Sequence, residues 1–221
     1  NRPRKRLPLS IVLHDTITHN GRSAYRVLEA RRLGTHVIFD LDGTLADTMP
    51  AHYLAWQTAL EPTGLTFTEA KFYSCGGMAT VKIVELLCEE QGIDADAPAV
   101  AKAKYEAFFP HIPAIKRIDP VVAIAEEHHG QLPMAIATGG KRRTAEQTIA
   151  QVDIGHLFSH VVSADDVEHH KPHPETYLQA AQLLGVDPTT CVAYEDADPG
   201  VVSAREAGMQ VVDVRELLAK N

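Results

Sequence analysis

Four short apolar runs rise straight into polar turns. Val37-Ile38-Phe39 leads into Asp40-Leu41-Asp42-Gly43-Thr44, and Met134 to Ala137 leads into Thr138-Gly139-Gly140. Val161-Val162 precedes Ser163-Ala164-Asp165-Asp166, and Cys191 to Tyr194 precedes Glu195-Asp196. Short continuous runs of this kind fit strands buried on both faces, as in a parallel sheet. Gln210 to Val214 reads as a fifth strand, and helical patterns fill the intervals at Lys141 to Val152, Glu175 to Leu184 and Gly200 to Ala207. Strands alternating with helices predict a parallel α/β sheet.

The stretch from Pro50 to Lys116 breaks the rhythm. It holds helical patterns at Ala51 to Leu60, Thr80 to Gln91 and Ala97 to Phe108, with no convincing strand. Gly64, Gly76-Gly77, Gly92 and the Pro110/Pro113 pair punctuate it. The expected fold is therefore an α/β, Rossmann-like parallel-sheet core over 35–48 and 118–221, with a helical insertion over 49–117. Hinges are expected near Asp47–Pro50 and Ile115–Asp119. Residues 1–34 form a basic N-terminal extension in which Ala24 to Arg32 reads as a short helix ended by Gly34.

Composition narrows the classes. With 45% hydrophobic residues in 221, the chain can bury a full core. No apolar run approaches the roughly 20 residues of a membrane helix, and Leu7 to Leu13, broken by Pro8 and Ser10, does not read as a secretory signal. Three widely spaced cysteines, Cys75, Cys88 and Cys191, favour a reducing cytoplasm over a disulfide framework. The net charge of −8 conceals a local +6 over residues 1–35, which leaves the body at −14. An acidic body argues against nucleic acid as the main partner, and the Arg2-Pro3-Arg4-Lys5-Arg6 cluster reads as a solvated, partly disordered tail in preference to a nucleic-acid arm or an anionic-surface contact.

The candidate chemistry lies at the strand ends, where open α/β sheets place their sites. Asp40 and Asp42 fit a metal site, a nucleophile paired with an acid/base, or a plain Asx-type turn. Thr138 offers a hydroxyl, and Gly139 and Gly140 offer backbone N–H groups at a helix start, suited to a phosphate or to ordinary capping. Lys171, before Pro172, is held in an extended or turn conformation. Glu195-Asp196 supplies a second carboxylate pair of the kind that completes a Mg²⁺ shell. Each signal is weak alone; four at successive strand ends make a strong joint signal.

The stretches Phe39 to Asp47, Thr138-Gly139, Lys171-Pro172 and Glu195-Asp196 with Gly200 resemble, in order and spacing, the four motifs of the haloacid dehalogenase superfamily. The insertion is similar to the small helical cap of its β-phosphoglucomutase-like subfamily. Within it, His169-His170-Lys171-Pro172, Glu195-Asp196-Ala197-Asp198 and the stretch from Ala207-Gly208-Met209 to Asp213-Val214-Arg215 resemble bacterial fructose-1-phosphate/6-phosphogluconate phosphatases. The resemblance implies Mg²⁺-dependent hydrolysis of a small sugar phosphate. Asp40 would be the nucleophile that becomes an aspartyl phosphate, and Asp42 the acid and then the base. Thr138, Gly139 and Lys171 would hold the phosphoryl oxygens. Asp40, Asp42 (through its carbonyl), Asp196 and Glu195 would surround the metal. The protein would be a monomer or homodimer.

Other readings compete. Asp42 argues against a true dehalogenase, which needs neither that acid nor a metal. A phosphonatase needs a cap lysine, for which Lys71, Lys82, Lys102 and Lys104 are candidates. For a β-phosphoglucomutase speak His52, Trp56 and Lys104, which resemble substrate-contacting cap residues, with Gly76 in the cap loop; Trp56 reads equally as a cap-core aromatic and His52 as a surface histidine. Against it, that loop, Cys75-Gly76-Gly77-Met78-Ala79-Thr80, lacks the arginine that grips a second phosphate. Losing such a charge-assisted contact costs ~1.5–3 kcal/mol. The pairs His128-His129 and His169-His170 lack the i, i+4 helical spacing of a zinc site and read as surface or loop residues; His170, next to Lys171, is placed at the substrate pocket. A non-catalytic binding module would have no chemical need for Asp40, Asp42, Lys171 and Asp196 together.

Overall fold

The computed structural model describes residues 18–19, 22–23, 36–76 and 78–219. The helix expected over Ala24 to Arg32, most of the basic extension and Gly77 lie outside the described residues. Within the extension, β1 (Thr18–His19) pairs antiparallel with β2 (Arg22–Ser23). The chain then runs through β3 (His36–Phe39), β4 (Ala46–Asp47), α1 (Met49–Leu60), α2 (Glu69–Ser74), α3 (Thr80–Gln91) and α4 (Ala97–Phe108). It continues through β5 (Lys116–Arg117), α5 (Asp119–His128), β6 (Met134–Ala137), α6 (Arg142–Gln151) and β7 (His160–Val162). The last elements are α7 (Glu175–Leu184), β8 (Cys191–Glu195), α8 (Asp198–Glu206), β9 (Gln210–Asp213) and α9 (Val214–Leu218).

The sheet is five-stranded, in the order β7-β6-β3-β8-β9, with every pairing parallel. This is the α/β class that the apolar runs predict. Side chains on successive strand residues face opposite ways, and the packing follows. Val37, Phe39, Met134, Ile136, Val192 and Tyr194 join one buried cluster with Val121, Val122 and Ile149. Ile38, Ala135, Ala137, Cys191 and Ala193 join a second with Tyr177, Ala180 and Ala204. Alanines dominate that second cluster.

The insertion carries a third cluster, in which Trp56, Leu65, Phe67, Phe72, Val84, Leu87 and Val100 are buried together. Packing does not divide at the ends of α1 and α4, because Ala51, Ala55 and Phe108 belong to the first sheet cluster. α2 opens with the Thr68 side chain accepting from the Lys71 N–H, and α4 with Asp96 accepting from Ala99. Each satisfies one of the four N–H groups left without partners at a helix start.

The sequence reading misses several details. β4 and β5 pair antiparallel, Ala46 with Arg117 and Asp47 with Lys116, which ties the entry to the insertion to its exit. Two-residue strands carry no readable period. The last strand stops at Asp213 instead of Val214, because the Asp213 side chain accepts from the Arg215 N–H and starts α9. His128 is no surface residue: it is buried, and its Nδ1 bonds the Ile124 carbonyl one helical turn back.

Leu87, only 1% exposed, should be costly to truncate: Leu87→Ala is expected to lose ~2–5 kcal/mol in denaturant unfolding. Leu54, 48% exposed, should change stability by no more than about 0.5 kcal/mol on the same substitution.

Candidate active site

β3 lies between β6 and β8, so its C-terminal end is the point where the strand order reverses and a crevice opens. Asp40 follows directly, its N–H donating to the Tyr194 carbonyl at 2.9 Å and its side chain buried. The next turn requires Gly43: its φ is +87°, and a Cβ there would lie 2.3 Å from Asp196 Oδ2. The turn lies against Asp196, whose Oδ1 accepts the Thr44 hydroxyl at 2.8 Å.

Lys171 reaches this point from the loop before α7, across a cis peptide to Pro172. Its Nζ donates to Asp40 Oδ1 at 2.7 Å, to Glu195 Oε1 at 2.7 Å and to the Ala137 carbonyl at 3.0 Å. An ammonium has three N–H donors, and all three are used. Glu195 is held from both sides: Oε1 also accepts the Tyr177 hydroxyl at 3.3 Å, and Oε2 accepts the Ala197 N–H at 2.8 Å. Its carboxylate packs onto the backbone of Gly200, where a Cβ would come within 1.6 Å.

Asp40, Glu195 and Asp196 each present an oxygen within 4.8 Å of the others. Burial pushes Asp40 well above the usual carboxylate range; Lys171 opposes the shift, and Glu195 and Asp196 add to it. Burial and the Glu195 charge raise Asp196 to about 6. A cluster of crowded, dehydrated carboxylates with only oxygen donors is the environment a hard dication relieves, so the residues fit Mg²⁺. Because Lys171, Tyr177 and Ala197 already occupy the Glu195 oxygens, Asp40 and Asp196 are the freer pair.

Asp42 lies beside this cluster and is partly exposed. Thr138, fully buried, donates its hydroxyl to Asp42 Oδ2 at 3.1 Å, and His52 Nε2 lies 3.7 Å from Oδ1. Burial raises the Asp42 pKa, but His52, Thr48 and Thr138 outweigh it and keep the carboxyl below its ordinary value. The glycine cradle differs from the sequence reading. The Gly140 N–H bonds Thr138 Oγ1 at 2.9 Å and is not free, Gly139 is exposed, and α6 begins only at Arg142.

The insertion contributes His52 and Lys104, joined by a 3.0 Å contact between Nδ1 and Nζ, with the His52 ring stacked on Phe108 at 4.3 Å. Burial lowers Lys104 to about 8, and burial with the neighbouring ammonium lowers His52. Trp56 is 2% exposed and packs edge-on against Phe67; Lys104 Nζ lies 5.9 Å from its ring centroid. Gly76 is exposed in the loop after α2, and His170 is exposed beside Lys171.

A profile of haloacid dehalogenase-like hydrolases matches residues 37–214. The chain belongs to this family. It is 41% identical over 181 residues to the fructose-1-phosphate phosphatase YqaB of Escherichia coli, covering 82% of this chain and 96% of that protein. It is 32% identical to hexitol phosphatase A of the same organism, over 80% of this chain and 81% of that one. The crystal structure of CbbY from Rhodobacter sphaeroides in complex with phosphate shares the fold: TM-score 0.71 at 22% identity, covering 81% of this chain and 85% of that one. With phosphatases among relatives that match 80–82% of this chain, the chain is a phosphatase of the haloacid dehalogenase type.

In this haloacid dehalogenase-like site, one residue escapes the sequence reading. Tyr177 is fully buried, bonded to Glu195, and its ring lies 4.8 Å from Lys171 Nζ. Only its place on the inner side of an amphipathic helix marks it, together with the rule that a buried tyrosine hydroxyl seeks a partner.

Two outcomes are expected. Gly200→Ala forces Glu195 out of the Lys171 bridge and should cost ~1–3 kcal/mol by overpacking, read as a lower thermal midpoint. In chelator, Asp196 holds its proton to about 6 in the folded chain, against about 3.9 when unfolded. A raised acid means that the folded state binds the extra proton, so this group lowers stability as pH rises from about 4 through 6. The stability of Asp196→Asn relative to the parent should therefore climb across that window in denaturant titrations and level off above it; a constant difference contradicts the burial described.

Proposed function

We propose that this chain is a Mg²⁺-dependent phosphatase of small sugar phosphates that carries the phosphoryl group on Asp40. The observation that carries this reading is the Lys171 ammonium between Asp40 and Glu195, 2.7 Å from each. That arrangement aligns one carboxylate oxygen, screens its charge and lets it approach a phosphate dianion.

In the first step an Asp40 oxygen attacks phosphorus, the bond from phosphorus to the sugar oxygen breaks, and Asp42 supplies the proton that the leaving oxygen takes up. In the second step Asp42 removes a proton from water, whose oxygen attacks phosphorus; the Asp40–phosphorus bond breaks and inorganic phosphate leaves. Asp42 needs both protonation states. Its depressed pKa suits the second step, and substrate must displace the His52 or Thr138 contacts for the first. Lys171 and Thr138, with Gly139, take the roles of holding phosphoryl oxygens. Asp40, Asp196 and the Asp42 carbonyl would hold Mg²⁺, with Glu195 steering Lys171; the ion would supply charge neutralisation on the phosphate.

Residues 49–117 act in this reading as a cap domain that swings on the β4–β5 ribbon, admitting substrate when open and excluding water when closed. The names of the fructose-1-phosphate and hexitol phosphatases support a polyhydroxylated monophosphate as substrate. The cap loop at Cys75 to Thr80 carries no arginine for a second phosphate, which favours hydrolysis over a β-phosphoglucomutase cycle. His52, Lys104 and Gly76 are the cap residues assigned to the sugar side, with Trp56 supporting them from the cap core.

The test follows phosphate release from fructose 1-phosphate, 6-phosphogluconate and β-glucose 1-phosphate with Mg²⁺, with coupled detection of glucose 6-phosphate. Phosphate release without glucose 6-phosphate is expected, lost on chelation and in Asp40→Asn, and reduced ~10²–10⁴-fold in Asp42→Asn. Wild-type turnover by Asp40→Asn, or glucose 6-phosphate formed faster than phosphate, would overturn it.

A further inference from the structure

The loop that brings Lys171 to the site carries a second set of donors that the proposed reaction does not use. His169 Nδ1 lies 2.8 Å from Glu175 Oε2, and His173 Nδ1 lies 3.8 Å from the same oxygen. The two imidazoles face each other, with centroids 4.6 Å apart and planes tilted by 34°. One ligand atom from each of the three residues falls within 4.8 Å of the others. Sequence spacing pairs His169 with His170; the turn around Lys171 instead brings His169 to His173 and to the first residue of α7.

We propose that His169, His173 and Glu175 form a surface site for a divalent transition-metal ion of the zinc class, separate from the buried carboxylate cluster. Zinc binds imidazole nitrogen and carboxylate oxygen at ~2.0–2.2 Å, so tetrahedral ligand atoms stand roughly 3.3 Å apart. The two imidazole–carboxylate distances, 2.8 and 3.8 Å, bracket that value, and all three ligand atoms lie within 4.8 Å of one another. Two imidazoles with one carboxylate select zinc, cobalt, nickel or copper over Mg²⁺, which prefers oxygen alone. The carboxylate is already oriented, since Glu175 accepts the backbone N–H groups of Glu168 at 2.9 Å and His169 at 3.0 Å. His173 Nδ1 also accepts the Glu175 N–H, with 3.3 Å between the two nitrogens. Coordination displaces that contact and the proton between His169 and Glu175. Side-chain exposures of 62% for His169 and 50% for His173 leave an open path for the ion and water for its remaining positions.

The ordinary reading of these residues is a helix-start carboxylate with an ion-paired histidine. It accounts for Glu175 and His169 and leaves His173 only its acceptance of the Glu175 N–H, whereas as a ligand its ring completes the donor set. The consequence reaches the catalytic loop, because His169 and His173 stand two residues to either side of Lys171. An ion held between them clasps the loop on both sides of the lysine.

The experiment uses the untagged chain in excess Mg²⁺, which keeps the carboxylate cluster from competing, and titrates Zn²⁺ by calorimetry. The comparison variants are the exposed double substitution His169→Ala/His173→Ala and a control, His129→Ala/His156→Ala, at another histidine ring contact. Thermal melts in chelator check that all three fold alike. The parent and the control are expected to bind one more Zn²⁺ than the His169/His173 variant, or to bind it at least tenfold tighter. Hydrogen exchange over 166–175 should slow on Zn²⁺ addition only where both histidines remain. Equal stoichiometry and affinity in all three proteins, or zinc binding without protection of that loop, overturns the proposal. Neither readout uses turnover, so a failure here stays distinct from a failure of the phosphatase reading.

Discussion

The structure depends on one ammonium group. Lys171 spends its three N–H donors on Asp40 after β3, the Ala137 carbonyl at the end of β6, and Glu195 at the end of β8. Three adjacent strand ends are thus joined by a side chain that none of them carries. Burying a carboxylate costs several kcal/mol unless it is paired and hydrogen-bonded, and three sit here within reach of one another. Lys171 offsets part of that cost, and the remainder leaves Asp40 and Asp196 with raised pKa values, a standing demand for a further cation.

That demand explains local choices that packing alone would not make. Gly200 is where the Glu195 carboxylate meets the α8 backbone, and Gly43 is where Asp196 meets the turn after Asp42. Tyr177 fills the space behind Lys171 with a ring while giving Glu195 another donor. Asp42 is treated differently. His52 from the insertion and Thr138 after β6 hold it and, with Thr48, keep its pKa low, although Asp40 lies only two residues away. Two carboxylates separated in this way by environment can take different parts in one reaction.

Much of this is legible in the residues. A buried parallel strand needs a continuous apolar run, so β3, β6, β7 and β8 announce themselves, and the polar turns after them name Asp40, Thr138 and Glu195-Asp196. The helices Thr80–Gln91, Ala97–Phe108 and Glu175–Leu184 end where their patterns end. What stays hidden is set by contacts distant in sequence. The β4–β5 ribbon spans two residues on each side and has no period to read. The pairing of His52 with Lys104 joins residues 52 apart, and His169 meets His173 only because the loop turns at Lys171. The Gly140 N–H, counted from the motif as a phosphate donor, is taken by Thr138 at short range, a choice that the Thr-Gly-Gly string leaves open.

The central claim, that Asp40 carries the phosphoryl group, is tested most directly by trapping. The protein is quenched during turnover of fructose 1-phosphate with Mg²⁺ and reduced with borohydride, which converts an aspartyl phosphate to homoserine. Peptide mass spectrometry then reads the residue at position 40. Homoserine there, and at no other aspartate, is the result expected. Unmodified Asp40 under steady phosphate release, or homoserine at another aspartate, contradicts it.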